Sequence, residues 1–210
     1  MRDHVSDSTG SRFSAMFLLI PLGLSGCVPV LTSPDGDSSG DAQGDWEAPE
    51  NAWPSSEPPA DLEGEGFSNG EIAPDMRLLD QNGQEVSLWQ FYGSVIILDV
   101  STMWCAPCQQ LADEICSVQK DYEAQGFVYL SMLAQNERGA LPSTEDVGEW
   151  TSDHEICAPV LGDDATWGQV LVPDGTFPRL SILDREMTMV DDNISPAEDA
   201  HIRDLIEGLL

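Results

Sequence analysis

Residues 95–100 read VIILDV, and within five residues the chain reaches Trp104-Cys105-Ala106-Pro107-Cys108. An apolar, β-branched run of that length is the pattern of a strand buried on both faces of a sheet. The cysteine pair then falls where the strand has ended and a helix over 105–123 is predicted to begin. Pro107 suits the first helical turn, because the N–H it lacks has no intrahelical partner there. Two intervening residues put the sulfurs about one helical turn apart, close enough to form a bond. A strand covered on both faces, followed at once by a helix, restricts the chain to layered α/β arrangements.

The remaining pattern agrees. A strand over 76–80, a turn at 81–84 and a return over 85–88 precede the central run, and a second buried strand follows over 127–132. Ser143 with Asp146 three residues on opens another helix. Strands are predicted over 158–161 and 180–183, with a short helix over 166–170 between them, and 187–190 pairs as a hairpin with the strand before it. The last helix is read with Ser195 as its cap, Pro196 at the first position and Glu198 closing a capping box. Strands alternating with helices give an α/β sandwich around a central mixed sheet.

The 210 residues carry 38 acidic and 8 basic side chains, a net charge of −30. That balance speaks against nucleic acid or an anionic lipid surface as a partner, since both require clustered Lys or Arg. It fits a solvated, self-repelling surface, or equally a high-salt habitat. Arg2 and Arg12 precede an apolar stretch, AMFLLIPLGL, that is too short to span a bilayer and suits a signal-peptide core. The stretch ends in Leu24-Ser25-Gly26-Cys27, which resembles the bacterial lipobox. The resemblance implies removal of residues 1–26, lipidation of Cys27 and a membrane tether facing an oxidising, extracytoplasmic space, with Val28 leaning toward the outer membrane. Residues 28–70 hold no Lys or Arg and are rich in acidic residues, Pro, Gly and Ser. The expectation is a disordered linker over 27–70, with Trp46, Trp53 and Phe67 as incidental aromatics, followed by one monomeric domain over 71–210.

A cysteine pair in an oxidising compartment serves redox chemistry more readily than metal binding. Zinc sites share the spacing, and His154 with Cys157 in HEIC would be the second ligand pair; the reading assigns no metal and no cofactor. At the start of the helix, Cys105 meets unpaired backbone N–H groups and the positive end of the macrodipole, which favour a thiolate. Cys105 is therefore expected as the exposed nucleophile and Cys108, one turn inward, as the buried thiol that resolves a mixed disulfide. Cys116 and Cys157 remain. They pair as a structural disulfide, stay as separate buried thiols, or form a second redox relay.

IAPDMRLLDQNGQEVSL, a strand, WCAPC and the later Phe177-Pro178 step resemble the thioredoxin-fold TlpA- and ResA-like thiol–disulfide oxidoreductases over about 71–210. The resemblance implies a thioredoxin-like three-layer sandwich and a catalytic set of Cys105, Cys108, Asp99 and Pro178. Asp99 would assist deprotonation of Cys108, and Pro178 would be a cis-proline facing the cysteines. Phe177 would pair with substrate backbone, and Trp104, Ala106 and Pro107 would line the contact. Implied partners are exported protein thiols or disulfides and a membrane-associated electron donor. The chain departs from the pattern in placing Phe before the proline, Arg179 after it, and Ser101-Thr102-Met103 where aromatics are usual. Two other readings stand beside this one. A thiol peroxidase would use Thr102, but Leu98 occupies the place of its proline. A copper chaperone or acidic binding lipoprotein would ordinarily have a wider cysteine spacing.

Overall fold

The computed structural model describes residues 46–210. Cys27, the expected signal peptide over 1–26 and the first part of the acidic segment lie outside the described residues. Seven strands form one sheet: β1 (Arg77–Asp80), β2 (Glu85–Ser87), β3 (Val95–Thr102), β4 (Phe127–Gln135), β5 (Val160–Gly162), β6 (Arg179–Leu183) and β7 (Met189–Asp191). Their order is β2-β1-β5-β4-β3-β6-β7. β3 runs parallel to β4 and antiparallel to β6, and β4 runs parallel to β5. The edges are antiparallel: β1 pairs with β5 and β2, and β7 pairs with β6. All eight residues of β3 are buried, the polar Asp99, Ser101 and Thr102 among them, as befits a strand covered on both faces.

Strand alternation divides β3 between two cores. Val95 and Ile97 face one that holds Ile115 and Val118 of α1 (Ala106–Tyr122), Trp150 of α2 (Thr144–Asp153) and Ile206 of α4 (Asp199–Leu209). Ile96, Leu98 and Val100 face the other, with Leu171 of the short α3 (Gly168–Leu171). Three layers result, in a thioredoxin-like α/β fold. Among the described residues no helix is long and apolar enough to cross a membrane.

Two expectations are corrected. Residues 46–70 are not a free linker: Trp46, Trp53, Leu62 and Phe67 pack on the second core as an extended strap. Trp46 Nε1 donates to Ser87 Oγ at 3.1 Å, and Trp53 Nε1 donates to Asp80 Oδ2 at 2.8 Å. The segment is polar on average, yet its few large apolar groups are spaced so that each finds a site on the sheet, and the indole donors are satisfied there. The last helix also begins later than the capping-box pattern predicts. Ile194 is buried, and its N–H donates to Leu180 O at 2.8 Å, which keeps the chain beside β6. Ser195–Pro196 is then a cis bond within a bend, and Glu198 is the N-cap with no side-chain cap bond. At α2 the box is present: Ser143 Oγ accepts from Asp146 N–H at 3.2 Å, and Asp146 Oδ2 accepts from Ser143 N–H at 2.7 Å.

Candidate active site

β3 ends in a bulge between Ser101 and Thr102 and hands the chain to Cys105. Bulges at this kind of position re-aim the strand. Cys105 is the N-cap of α1, with extended backbone (φ −90°, ψ 110°), and its sulfur accepts the otherwise unpaired N–H of Cys108 at 3.3 Å. Cys105 and Cys108 are bonded to each other, their Cα atoms 5.2 Å apart. Cys108 is fully buried and Cys105 retains 5% of its surface, so in the oxidised state the first cysteine is not the exposed group expected of it. Exposure at the rim belongs instead to Trp104, Ala106 and Pro107.

The β3–β6 register ends at Val100 opposite Arg179, which sets Pro178 beside the end of β3 from which the cysteines emerge. Phe177–Pro178 is a cis bond. Phe177 meets the half-exposed Trp104 edge to face, ring centroids 6.0 Å apart. Trp104 Nε1 donates to Gln135 Oε1 at 3.0 Å, so the end of β4 fixes the indole. Asp174 orders the approach to the proline: its Oδ1 accepts from Thr176 N–H at 3.0 Å and from Arg179 Nη2 at 2.8 Å. The first of these bonds, then Arg179, holds the Asp174 carboxyl below its ordinary value. A cavity of about 560 Å³ opens between α1, α4 and this loop, bordered by Pro107, Leu111, Ile115, Tyr129, Pro178 and Ile194.

Asp99 lies on the face of β3 that carries Ile97, beneath α1, and it is fully buried. Its Oδ1 accepts from Ser101 Oγ at 2.8 Å and its Oδ2 from Ser131 Oγ at 3.4 Å. Burial pushes its carboxyl from 3.8 up to about 7, and the two serine bonds oppose the rise. A carboxyl poised there exchanges a proton readily at neutral pH. Sequence reasoning missed Ser131, Gln135 and Asp174. Cross-strand register is what brings Ser131 opposite Asp99, and no local motif marks any of the three.

Cys116 is bonded to Cys157, Cα atoms 5.2 Å apart, which ties the middle of α1 to the segment after α2. His154 Nδ1 lies 2.7 Å from Asp113 Oδ1 beside it. The HEIC residues are thus both engaged, and among the described residues no three His, Cys, Asp or Glu side chains gather as a metal site.

A buried strand leading to a buried CxxC disulfide, a cis-proline across from it and a carboxyl on the same side of the sheet define the thioredoxin-like class. Residues 69–171 match the AhpC/TSA family. The thioredoxin-like protein YneN of Bacillus subtilis is 29% identical over 98 residues, 47% of this chain and 55% of that protein, so the match spans about half the length of this curated relative. A protein assigned as thiol:disulfide interchange protein DsbE in Chlorobium tepidum is 25% identical with a TM-score of 0.57, covering 69% of this chain and all of the other. The thioredoxin domain of a thiol-disulfide oxidoreductase from Bacteroides vulgatus shares the fold at 18% identity and the same TM-score, over 69% of this chain and 100% of that one. The chain is thus similar to the AhpC/TSA family over residues 69–171, and the solved structures that share its thioredoxin-like fold are those of thiol–disulfide oxidoreductases.

Proposed function

We propose that this protein is a lipid-anchored, extracytoplasmic thiol–disulfide oxidoreductase that exchanges disulfides with exported proteins through Cys105 and Cys108. The observation that carries the reading is the bonded pair at the N-terminus of α1, with Asp99 buried on the same side of the sheet. In the reducing direction, the Cys105 thiolate attacks a substrate disulfide. The substrate S–S bond breaks, a Cys105–substrate bond forms, and one substrate thiolate leaves and takes a proton from solvent. Asp99 accepts the proton of the Cys108 thiol, and the Cys108 thiolate attacks the Cys105 sulfur. The second substrate thiolate leaves as the Cys105–Cys108 bond closes, so the substrate gains two electrons and the enzyme dithiol loses them. A membrane-associated donor restores the dithiol, and every step runs backward when the substrate is to be oxidised.

Pro178 and Phe177 supply the wall against which substrate backbone lies, and Trp104, Ala106 and Pro107 supply its exposed rim. The Cys116–Cys157 bond is assigned a structural role. Anchoring at Cys27, with an outer-membrane location, rests on the lipobox resemblance. Cys108→Ser should trap Cys105-linked mixed disulfides with extracytoplasmic proteins on non-reducing gels, and Cys105→Ser should trap almost none. Equal trapping by both variants would reject the assignment. A peroxidase reading has one observation in its favour: Thr102, three residues before Cys105, has a buried hydroxyl with no partner. Oxidation of the reduced protein by hydrogen peroxide faster than by a protein disulfide would favour it.

A further inference from the structure

Three buried side-chain polar atoms among the described residues have no hydrogen-bond partner: Thr102 Oγ1, Trp150 Nε1 and Tyr129 OH. An orphan of this kind is uncommon and calls for a reason. Tyr129 stands apart because of where β4 puts it. Ile97 pairs with Tyr129 and Asp99 with Ser131, and side chains alternate along each strand, so Tyr129 and Asp99 are diagonal neighbours on the face beneath α1. The phenol is 2% exposed, belongs to the same core as Cys105 and Cys108, and edges the cavity beside Pro107 and Pro178.

Asp99 has spare capacity on its side. An ionised carboxylate accepts about four hydrogen bonds, and in the disulfide state this one receives two, of which the Ser131 bond is long at 3.4 Å. Burial first, and then the charge of Asp99, push the Tyr129 hydroxyl well above its ordinary value. It is therefore a neutral donor throughout the working range and never competes as a base. On the same face of the sheet stand Asp99 and Ser101 of β3 and Ser131 of its own strand, and the same core holds Cys105, the N-cap of α1, and Cys108. Glu114 of α1 and Asp199 of α4 stand on the rim of the cavity, the latter bonded to Arg203.

We infer that Tyr129 is a positioning residue for the proton step, its hydroxyl donating to the Asp99 carboxylate when Cys108 is free and standing idle when the disulfide is closed. The inference rests on the proposed reaction. It assigns the orphan donor to the state in which Asp99 must hold a charge. A donor to the charged form lowers the pH at which Asp99 becomes a base, so loss of the hydroxyl raises that pH.

The test is the release of the thiol when Cys108 attacks a preformed Cys105–nitrothiobenzoate mixed disulfide, followed by stopped flow from acid to alkaline pH in wild type and Tyr129→Phe. The variant is expected to resolve about tenfold more slowly at neutral pH, a factor within the reach of one hydrogen bond to a charged group. It should regain the wild-type rate at high pH, with the inflection displaced upward. Alkylation of Cys105 should keep its rate, and the oxidised variant should melt no lower than wild type, since a partnerless hydroxyl has been removed. Superimposable pH profiles overturn the inference. So does an equal slowing at every pH with a lower melting temperature, or failure of the variant to fold, because each means that the hydroxyl serves packing instead. Wild-type protein that forms no mixed disulfide with a protein substrate would instead refute the proposed function.

Discussion

Two disulfides sit on α1 with the same 5.2 Å between Cα atoms, and they do opposite things to the chain. Cys105–Cys108 closes a loop of sequence separation 3, and Cys116–Cys157 closes one of 41. By loop-closure entropy the longer link is worth about 4 kcal/mol and the shorter about 1.5 kcal/mol. The short one constrains little that the helix does not already fix. It lies at the helix N-terminus, next to a cis-proline, with a carboxyl of raised pKa on its side of the sheet. The long one lies about 12 Å further along the helix, at a half-buried and an exposed cysteine, beside the His154–Asp113 pair. The surroundings, not the bond, separate a redox centre from a staple.

Activity provides the largest contrast. Cys105→Ser is expected to abolish disulfide exchange in an insulin reduction assay, a loss of at least about a thousandfold because the nucleophile itself is gone. Cys116→Ser with Cys157→Ser should leave the rate within about twofold when both proteins are folded, since neither residue joins the reaction. Loss of activity in the double variant would merge the two disulfides into one relay.

Stability reverses the order. The double variant is expected to lose about 2–4 kcal/mol in urea unfolding of the oxidised proteins, and reduction confined to the short disulfide should cost less. A larger loss on opening Cys105–Cys108 would contradict the division.

Asp99 offers a finer probe of the first site. Its folded pKa of about 7 lies above that of the unfolded chain, so the native state binds the extra proton between the two values. Its contribution to stability is therefore greatest below the ordinary carboxylate value and is lost as pH rises toward 7. Asp99→Asn removes that decline and should gain on the order of 4 kcal/mol over wild type at alkaline pH, with little gain in acid, while resolution of the mixed disulfide slows. Parallel pH–stability curves for the two proteins would place Asp99 outside the site.

The contrast between the two disulfides was partly legible in the sequence. VIILDV followed by CAPC carries its own instruction, because a doubly buried strand and a proline at the first helical turn leave one place for the cysteines. What the sequence hid depends on register and on distant partners. Ser131 and Tyr129 matter through their places opposite β3, and Gln135 through its bond to Trp104. The strap over 46–70 was obscured by averaging: its acidic composition describes the exposed groups, while Trp46, Trp53, Leu62 and Phe67 decide where it lies. Ser195 and Glu198 have the spacing of a capping box, but the bond from Ile194 to β6 fixes where the helix can begin.

The division of labour within CAPC is tested by the alkylation of each cysteine of the reduced protein with iodoacetamide across pH, read residue by residue by mass spectrometry. Cys105 should react first, with an inflection below the ~8.5 of a free cysteine because the helix terminus favours its thiolate. Cys108 should react slowly throughout, and Cys116 and Cys157 should remain unmodified while their bond is intact. Faster alkylation of Cys108 than of Cys105 would contradict the account.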